Sequence, residues 1–294
     1  MVQEAFRQVL TRHRAAVLGK PIAHSMSPVL HRAAYEALGM ADWSYDLREC
    51  DVAALRELVS GLGPTWRGLS LTMPLKAEAL LIADTSSEVA RRTGAVNTLV
   101  RDGRAWHGDN TDVVGIRQAL CDAGVIAGVV PQAVVVGSGA TARSALAALA
   151  DLGVPEVVFV VRSDVRASTL AQARDHGFRV VALGESDGAA ALLESPLVIS
   201  AVPAGAADSL AGAVAARVAE GATGSAGQVL LDVVYAGWPT ALAATAAAYG
   251  ARVVPGIEML IHQGAAQFEL MTGSPAPLEV MQRAGRAASG LGAS

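Results

Sequence analysis

Residues 133–142 read Ala133-Val134-Val135-Val136-Gly137-Ser138-Gly139-Ala140-Thr141-Ala142, an apolar run broken by two glycines and followed by helix-tolerant residues. A short, uninterrupted apolar run is what a strand covered on both faces requires. The next six residues match the pattern G-x-G-x-x-A of a dinucleotide-binding turn. In that pattern the first glycine permits the tight turn and the second lets a pyrophosphate approach the backbone. The small last residue lets the following helix pack against the strand, its positive dipole end toward the phosphates. Two glycines alone would suit an ordinary turn. The strand before and the helix after them favour a nucleotide site at Gly137, Ser138, Gly139, Ala140, Thr141 and Ala142.

The same alternation continues outward from this stretch. Strand-like runs at 157–161, 179–183, 197–200, 229–234 and 252–254 are separated by helical segments at 142–152, 166–176, 189–193, 210–219 and 240–249. With 133–136 they predict a six-stranded, doubly wound nucleotide-binding unit. Pro255-Gly256 ends it, and a helix is expected over 257–271. Upstream, 15–18 and 68–72 read as strands. Ser27-Pro28 opens a helix to about residue 38, stopped by Gly39, with Ser27 as its N-cap; Pro74 starts another. Asp102-Gly103 between 95–101 and 104–106 is a hairpin signal. A helix is expected over 115–120, and the small, uncharged segment 124–132 reads as a linker. The pattern is α/β with a largely parallel sheet.

Composition narrows the function. Of 294 residues 52% are apolar and 17% charged, with a net charge of −4, so a large core is available and a nucleic-acid partner is not expected. Two cysteines far apart and six dispersed histidines offer neither a disulfide framework nor a metal site, which suits a reducing, cytoplasmic setting. No apolar run reaches membrane-spanning length. Residues 1–14 read as an amphipathic or frayed extension.

Which nucleotide binds is set at the end of the second strand of the unit. NAD-binding units place an acid about 20 residues beyond the glycines, to hold the ribose hydroxyls. Here Val161-Arg162-Ser163-Asp164-Val165-Arg166 puts Arg162 at that place and Arg166 about one helical turn on. Two guanidiniums suit a 2′-phosphate, hence NADP. Solvated surface arginines with Asp164 as a helix cap, or Asp164 as a displaced acid favouring NAD, are the alternatives.

Four short motifs lie in the first region. In Gly19-Lys20-Pro21-Ile22-Ala23-His24-Ser25-Met26-Ser27-Pro28, Ser25 is not needed for the cap, and two hydroxyls at a helix N-terminus would receive a carboxylate. In Ser70-Leu71-Thr72-Met73-Pro74-Leu75-Lys76 the lysine falls in the first turn of a helix, where the macrodipole disfavours a cation. A surface lysine tolerates that, and a lysine aimed into a cleft is the sharper reading. Asn97 in Gly94-Ala95-Val96-Asn97-Thr98-Leu99 enters a strand. Asp109-Asn110-Thr111-Asp112 holds more polar groups than a helix cap requires.

Taken in order from Gly19 to Gly273, these motifs resemble those of the shikimate dehydrogenase family. Asp232-Val233-Val234-Tyr235 and Gly256-Ile257-Glu258-Met259-Leu260-Ile261-His262-Gln263 join the match. The resemblance implies oxidation of shikimate to 3-dehydroshikimate with NADP, and the reverse reduction in chorismate biosynthesis, by a cytoplasmic monomer or homodimer. It implies that Ser25 and Ser27 hold the substrate carboxylate and that Lys76 and Asp112 form the catalytic pair. Thr72, Asn97 and Gln263 would contact ring hydroxyls, with Tyr235 near the reaction centre. Ser163, Val202, Val233 and Gly256 join the cofactor set. It also implies a substrate domain over residues 1–114, completed by 257–294, a Rossmann domain over 115–256, and a site in the cleft between them. Three positions depart from the family pattern. Ser70 stands where an asparagine usually touches the substrate, Val161 replaces the asparagine before Arg162, and Ser200-Ala201-Val202 stands for Asn-Ala-Thr. A quinate/shikimate dehydrogenase using NAD and a silent NADP-binding relative are the competing readings.

Overall fold

The first strand begins at His13, so the last residues of the supposed extension already carry sheet hydrogen bonds. The computed structural model describes residues 12–291, and the reading of residues 1–11 lies outside them. Two compact units are present. One runs to Thr111 and resumes at Leu260; the other is Asp112–Met259.

The first unit contains β1 (His13–Gly19), β2 (Trp43–Glu49), β3 (Trp66–Leu71), β4 (Thr85–Ser86), β5 (Thr98–Asp102) and β6 (Ala105–Asp109) in the order β2-β1-β3-β5-β6-β4. Helices α1 (Ser27–Ala37), α2 (Val52–Ser60), α3 (Lys76–Ile82) and α4 (Glu88–Thr93) alternate with them. The sheet is mixed. β1 runs parallel to β2 and β3, whereas β5 is antiparallel to β3 and β6. The expected Asp102-Gly103 hairpin turns β5 back into β6, with Gly103 at φ 58°, a left-handed conformation that glycine adopts without strain. β2, β4, α2 and α4 are additional to the sequence reading. β2 is an edge strand carrying Asp46, Arg48 and Glu49, so its only deeply buried side chain is Tyr45. α2 is nine residues, capped by Asp51, which accepts from the Ala54 N–H at 3.1 Å.

Strand register decides which side chains share a face. Ala15 pairs with Tyr45, Val17 with Ser70, and Ser70 with Thr98. Paired residues project to the same side of a sheet. Tyr45, Ser70 and Thr98 therefore sit on one face, and Ala16, Leu18 and Leu69 pack into the core on the other.

The second unit contains α5 (Asp112–Asp122), β7 (Ala133–Val136), α6 (Ala140–Asp151), β8 (Glu156–Val160), α7 (Ala167–Asp175) and β9 (Arg179–Leu183). It continues with α8 (Glu185–Glu194), β10 (Leu197–Ser200), α9 (Asp208–Ala219), β11 (Val229–Asp232), α10 (Ala241–Ala248) and β12 (Arg252–Pro255). The sheet is parallel throughout, in the order β12-β11-β10-β7-β8-β9, with the direction of winding reversing between β7 and β10. Ala133 and Val135 face one apolar cluster, Val134 and Val136 the other. Burial on both faces is why the strands read as unbroken apolar runs. Segment 124–132 joins α5 to β7 inside this unit, with the Gly128 N–H donating to Leu152 O at 2.8 Å, so it is not a linker between units.

Helix α11 (Gly256–Thr272) starts in the second unit and ends in the first, where α12 (Leu278–Ala288) follows it. Among the described residues no helix is long and apolar enough to cross a membrane. The start of α11 tolerates no side chain. A Cβ on Gly256 would collide with the Val233 carbonyl and lie 2.8 Å from Val234 O. Those are backbone atoms and cannot swing away. Gly256→Ala is expected to lower unfolding stability by about 3 kcal/mol, the upper range for overpacking. Denaturant unfolding checks this, and an unchanged midpoint would show that the turn has room.

Candidate active site

Backbone hydrogen bonds draw the sequence-predicted residues of the first unit together. At the carboxyl end of β1, the Thr72 N–H donates to Leu18 O at 2.9 Å and the Lys20 N–H to Met73 O at 3.0 Å. Beside them the Leu71 N–H donates to Asn97 O at 2.7 Å, and the Val96 N–H to Lys76 O at 2.8 Å. The Asn97 N–H donates to Asp109 O at 3.0 Å. Thr72, Lys76 and Asn97 are thus fixed at the ends of neighbouring strands, the edge where open α/β sheets bind ligands. Gly19 is needed for this approach, because a Cβ there would collide with the Thr72 side chain.

Lys76 is the first residue of α3 and is half-buried. The helix starts there and not at Pro74. Asn97 and Gln263 are 1% and 5% exposed, and Asn97 Nδ2 points at Gln263 Oε1 from 3.4 Å. Ser27 is 4% exposed but is not the cap of α1. Met26 holds the cap position without a side-chain bond, and Ser25 Oγ accepts from the Ser27 N–H at 3.4 Å. With Pro at the start of the helix, Ser27 lies within the first turn, and Ser25 accepts from its N–H, one of the donors the helix itself leaves unpaired.

The run 109–112 is largely accounted for by internal bonds. Asp109 accepts from Ser87 at 2.6 Å and from the Asn110 N–H at 2.7 Å, while Asn110 donates to Thr93 at 2.9 Å. The Thr111 N–H donates to Asn97 Oδ1 at 2.8 Å. Asp112 is the first residue of α5, 4% exposed, at a helix end that favours an anion.

The nucleotide pattern has the geometry its glycines require. Gly137 has φ 97°, and a Cβ there would lie 2.6 Å from Val202 Cγ1, which covers the turn. Gly139 holds the N-cap of α6 with no side-chain capping bond, and nothing lies within 4 Å of where its Cβ would be. An uncapped helix N-terminus beside open space fits a phosphate group. Ala142 is fully buried against the strands, as the pattern demands. Ala140 and Thr141, the first residues of α6, are half-buried.

Arg162 and Ser163 are exposed in the loop after β8, and Arg166 is exposed at the N-cap of α7, which has no side-chain capping bond. Asp164 therefore does not cap that helix. The loop is tied to the glycine turn, since the Arg166 N–H donates to Ser138 Oγ at 3.4 Å and Thr169 Oγ1 to Ser138 O at 2.8 Å. Arg143, in the first turn of α6, was missed by the sequence reading. Its burial and the neighbouring Arg166 charge push its guanidinium below its usual pKa. Like charges held together in this way suit an anion. Its signal was its place directly after Ala142 in the pattern.

Val233 and Tyr235 are half-buried in the turn after β11. Asp232 anchors that turn, accepting from the Val234 N–H at 3.1 Å and from Thr240 at 2.7 Å. Its carboxyl is raised above the usual range by burial, which those hydrogen bonds partly offset. β11 ends at Asp232 because this side chain takes over the hydrogen bonds, so the expected strand to residue 234 is shorter. Asp112 and Tyr235 belong to the second unit with the whole cofactor set up to Gly256, and the other substrate candidates belong to the first.

Tyr45, Thr98, Thr111 and Gln267, all buried, complete the polar interior of the first unit. Gln263 and Gln267 are four apart on α11, a spacing that puts both on one helix face and could have revealed the second.

Known proteins match this arrangement. A model of the shikimate dehydrogenase substrate-binding domain matches residues 17–99, and one of the shikimate 5′-dehydrogenase C-terminal domain matches 256–284. The chain is 38% identical over 266 residues to a shikimate dehydrogenase (NADP(+)) of Caulobacter vibrioides, covering 89% of this chain and 90% of that one. It is 35% identical over 282 residues to a pentafunctional AROM polypeptide of Candida tropicalis, covering 94% of this chain but only 18% of that polypeptide's length. The crystal structure of Mycobacterium tuberculosis shikimate dehydrogenase is similar, with TM-score 0.80 and 43% identity over 94% of this chain and 99% of that one. The chain belongs to the shikimate dehydrogenase family.

Proposed function

We propose that this chain catalyses the reversible, NADP-dependent reduction of 3-dehydroshikimate to shikimate, with the first unit as substrate domain and the second as cofactor domain. The convergence of Thr72, Lys76 and Asn97 at one sheet edge, with Gln263 reaching Asn97, carries this reading. Such a set offers a cation and several fixed donors and acceptors to a small polyol. Ser25 and Ser27 hold the carboxylate at the N-terminus of α1. Asn97, Gln263 and Thr72 orient the ring hydroxyls, and Tyr235 lies by the reacting carbon. NADPH, when bound, supplies the hydride. Lys76 polarises the carbonyl oxygen and delivers the proton that the new alkoxide needs, and Asp112 orients the ammonium.

Gly137, Ser138, Gly139, Ala140, Thr141 and Ala142 take the pyrophosphate, with Val202, Val233 and Gly256 shaping the nicotinamide side. Arg162, Ser163 and Arg166, with Arg143, hold the 2′-phosphate. On this reading the chain works in the cytoplasm. Nicotinamide absorbance with shikimate or quinate against NADP or NAD tests the whole reading. Turnover confined to shikimate with NADP supports it, and turnover favouring quinate or NAD moves the chain to the competing quinate/shikimate dehydrogenase reading. Arg162→Ala is expected to weaken NADP by roughly tenfold, the scale of a charge-assisted contact, and NAD by little. An unchanged cofactor preference would reduce Arg162 to a surface residue.

A further inference from the structure

A line of buried hydrogen bonds that the reaction above does not use crosses the first unit. Tyr45 donates to Ser70 Oγ at 2.6 Å, with Ser27 as a second hydroxyl neighbour, and Ser70 donates to Gln267 Oε1 at 2.7 Å. The nitrogen of the same amide donates to the Asn97 carbonyl at 3.1 Å and to Thr98 Oγ1 at 3.0 Å. Thr98 passes its own proton to Asn97 Oδ1 at 2.7 Å, where the Thr111 N–H also arrives at 2.8 Å. Asn97 Nδ2 is left facing Thr111 Oγ1 at 3.0 Å and Gln263 Oε1 at 3.4 Å.

The direction of this line is dictated by amide chemistry. An amide nitrogen donates and cannot accept. A flipped Gln267 would set its oxygen against the Asn97 carbonyl, where neither group can donate, whereas the hydroxyls of Thr98 and Ser70 can turn to suit either orientation. With Gln267 fixed, Thr98 receives a proton and hands its own on to Asn97 Oδ1 at 2.7 Å, with Thr111 Oγ1 farther off at 3.4 Å. Together with the Thr111 N–H, which needs an acceptor at the same oxygen, that forbids the flipped Asn97. Ser70, Thr98, Asn97 and Gln267 are each 3% exposed or less, so water cannot substitute for a missing partner.

We propose that Gln267 is a positioning residue that locks the Asn97 amide with its nitrogen toward the ring-hydroxyl position. On this account Ser70, which stands where the family usually has a substrate-touching asparagine, is taken up by Tyr45 and the Gln267 oxygen and not by the substrate, while the lock holds through the Gln267 nitrogen. The proposal rests on the dehydrogenase reading for what Asn97 touches, but the lock itself exists in the free protein.

The test compares Gln267→Leu, Gln267→Glu and Ser70→Ala. Glutamate is the same size and still accepts from Ser70; at a pH where it is ionised it cannot donate, and it would draw the Thr98 proton away from Asn97. Both Gln267 variants are expected to raise KM for shikimate roughly tenfold, the scale of one lost buried hydrogen bond, with KM for NADP unchanged. Ser70→Ala is expected to lower the melting temperature yet change KM for shikimate by less than about twofold. In the free protein the Asn97 side-chain amide signal, identified by its loss in Asn97→Asp, should move in both Gln267 variants and persist in Ser70→Ala. If Gln267→Leu does not fold, Gln267→Glu decides. An unmoved Asn97 signal, or a Ser70→Ala defect as large as that of Gln267→Glu, overturns the proposal. Absence of shikimate turnover in the unaltered protein would instead sink the dehydrogenase reading and leave the amide signal to judge the lock.

Discussion

Lys76→Ala should abolish most turnover, by about a hundredfold to ten-thousandfold, the range for losing a positioned acid. Affinity for NADP should hardly change, and the fold should be untouched. The structure separates these effects. α3 is anchored by Leu75 and Ala79, both fully buried, and the main chain of Lys76 is held by Val96. Truncating the side chain disturbs none of those contacts. A cation at the N-terminus of a helix is disfavoured by a few tenths of a kcal/mol to about 1 kcal/mol, which offsets part of what the contacts of the ammonium contribute, so the folded state should be retained. Steady-state rates, NADP titration and a melting curve on one preparation settle the matter. Equal loss of turnover and NADP affinity would remove Lys76 from the chemistry.

The second large effect is acid sensitivity set by His31. The ring is fully buried and stacked on Tyr45, with centroids 4.1 Å apart and planes 13° from parallel. Neither ring nitrogen has a partner at full hydrogen-bond geometry, and Gln267, the neighbour within reach, is shared with Ser70, Thr98 and Asn97. Burial drives its pKa from 6.5 down to about 3, and Gln267 offsets only part of that. The folded state therefore keeps His31 neutral where the unfolded chain protonates it. Stability from this residue is complete above pH 6.5 and declines as pH falls toward 3, by about 1.4 kcal/mol per unit. Between pH 6.5 and 4 the loss is on the order of 3 kcal/mol. His31→Leu should flatten that slope, whatever it does to stability at neutral pH. Denaturant unfolding at several pH values reads it, and parallel slopes in the two proteins would show that other groups govern the acid response.

The second unit was legible in the sequence because its strands are covered on both faces. Burial on both sides leaves short apolar runs, and the glycines at 137 and 139 mark where the first of them ends. A local pattern of this kind needs no knowledge of distant partners. Lys76 at a helix start and Arg162 after a strand were legible for the same reason, since each is defined by its own element. β2 and α2 were not. An edge strand carrying three charges and a nine-residue helix leave no clear period, and tertiary packing of Tyr45, Leu55 and Val59 makes them what they are.

The assignment of Ser27 as a cap failed because the helix begins one residue earlier, with Met26 in the cap position and its carbonyl taking the Val29 and Leu30 N–H groups, and only backbone geometry decides that. The polar line through Tyr45, Ser70, Gln267, Thr98 and Asn97 depends on strand register and on a helix almost two hundred residues further along the chain. The sequence by itself thus determined the alternating units, the nucleotide turn and the charged candidates, each written in a few consecutive residues. Which way Asn97 faces, what Ser70 serves and where His31 lies depended on the tertiary structure. Hydrogen-bond direction and burial are properties of neighbours brought together by folding.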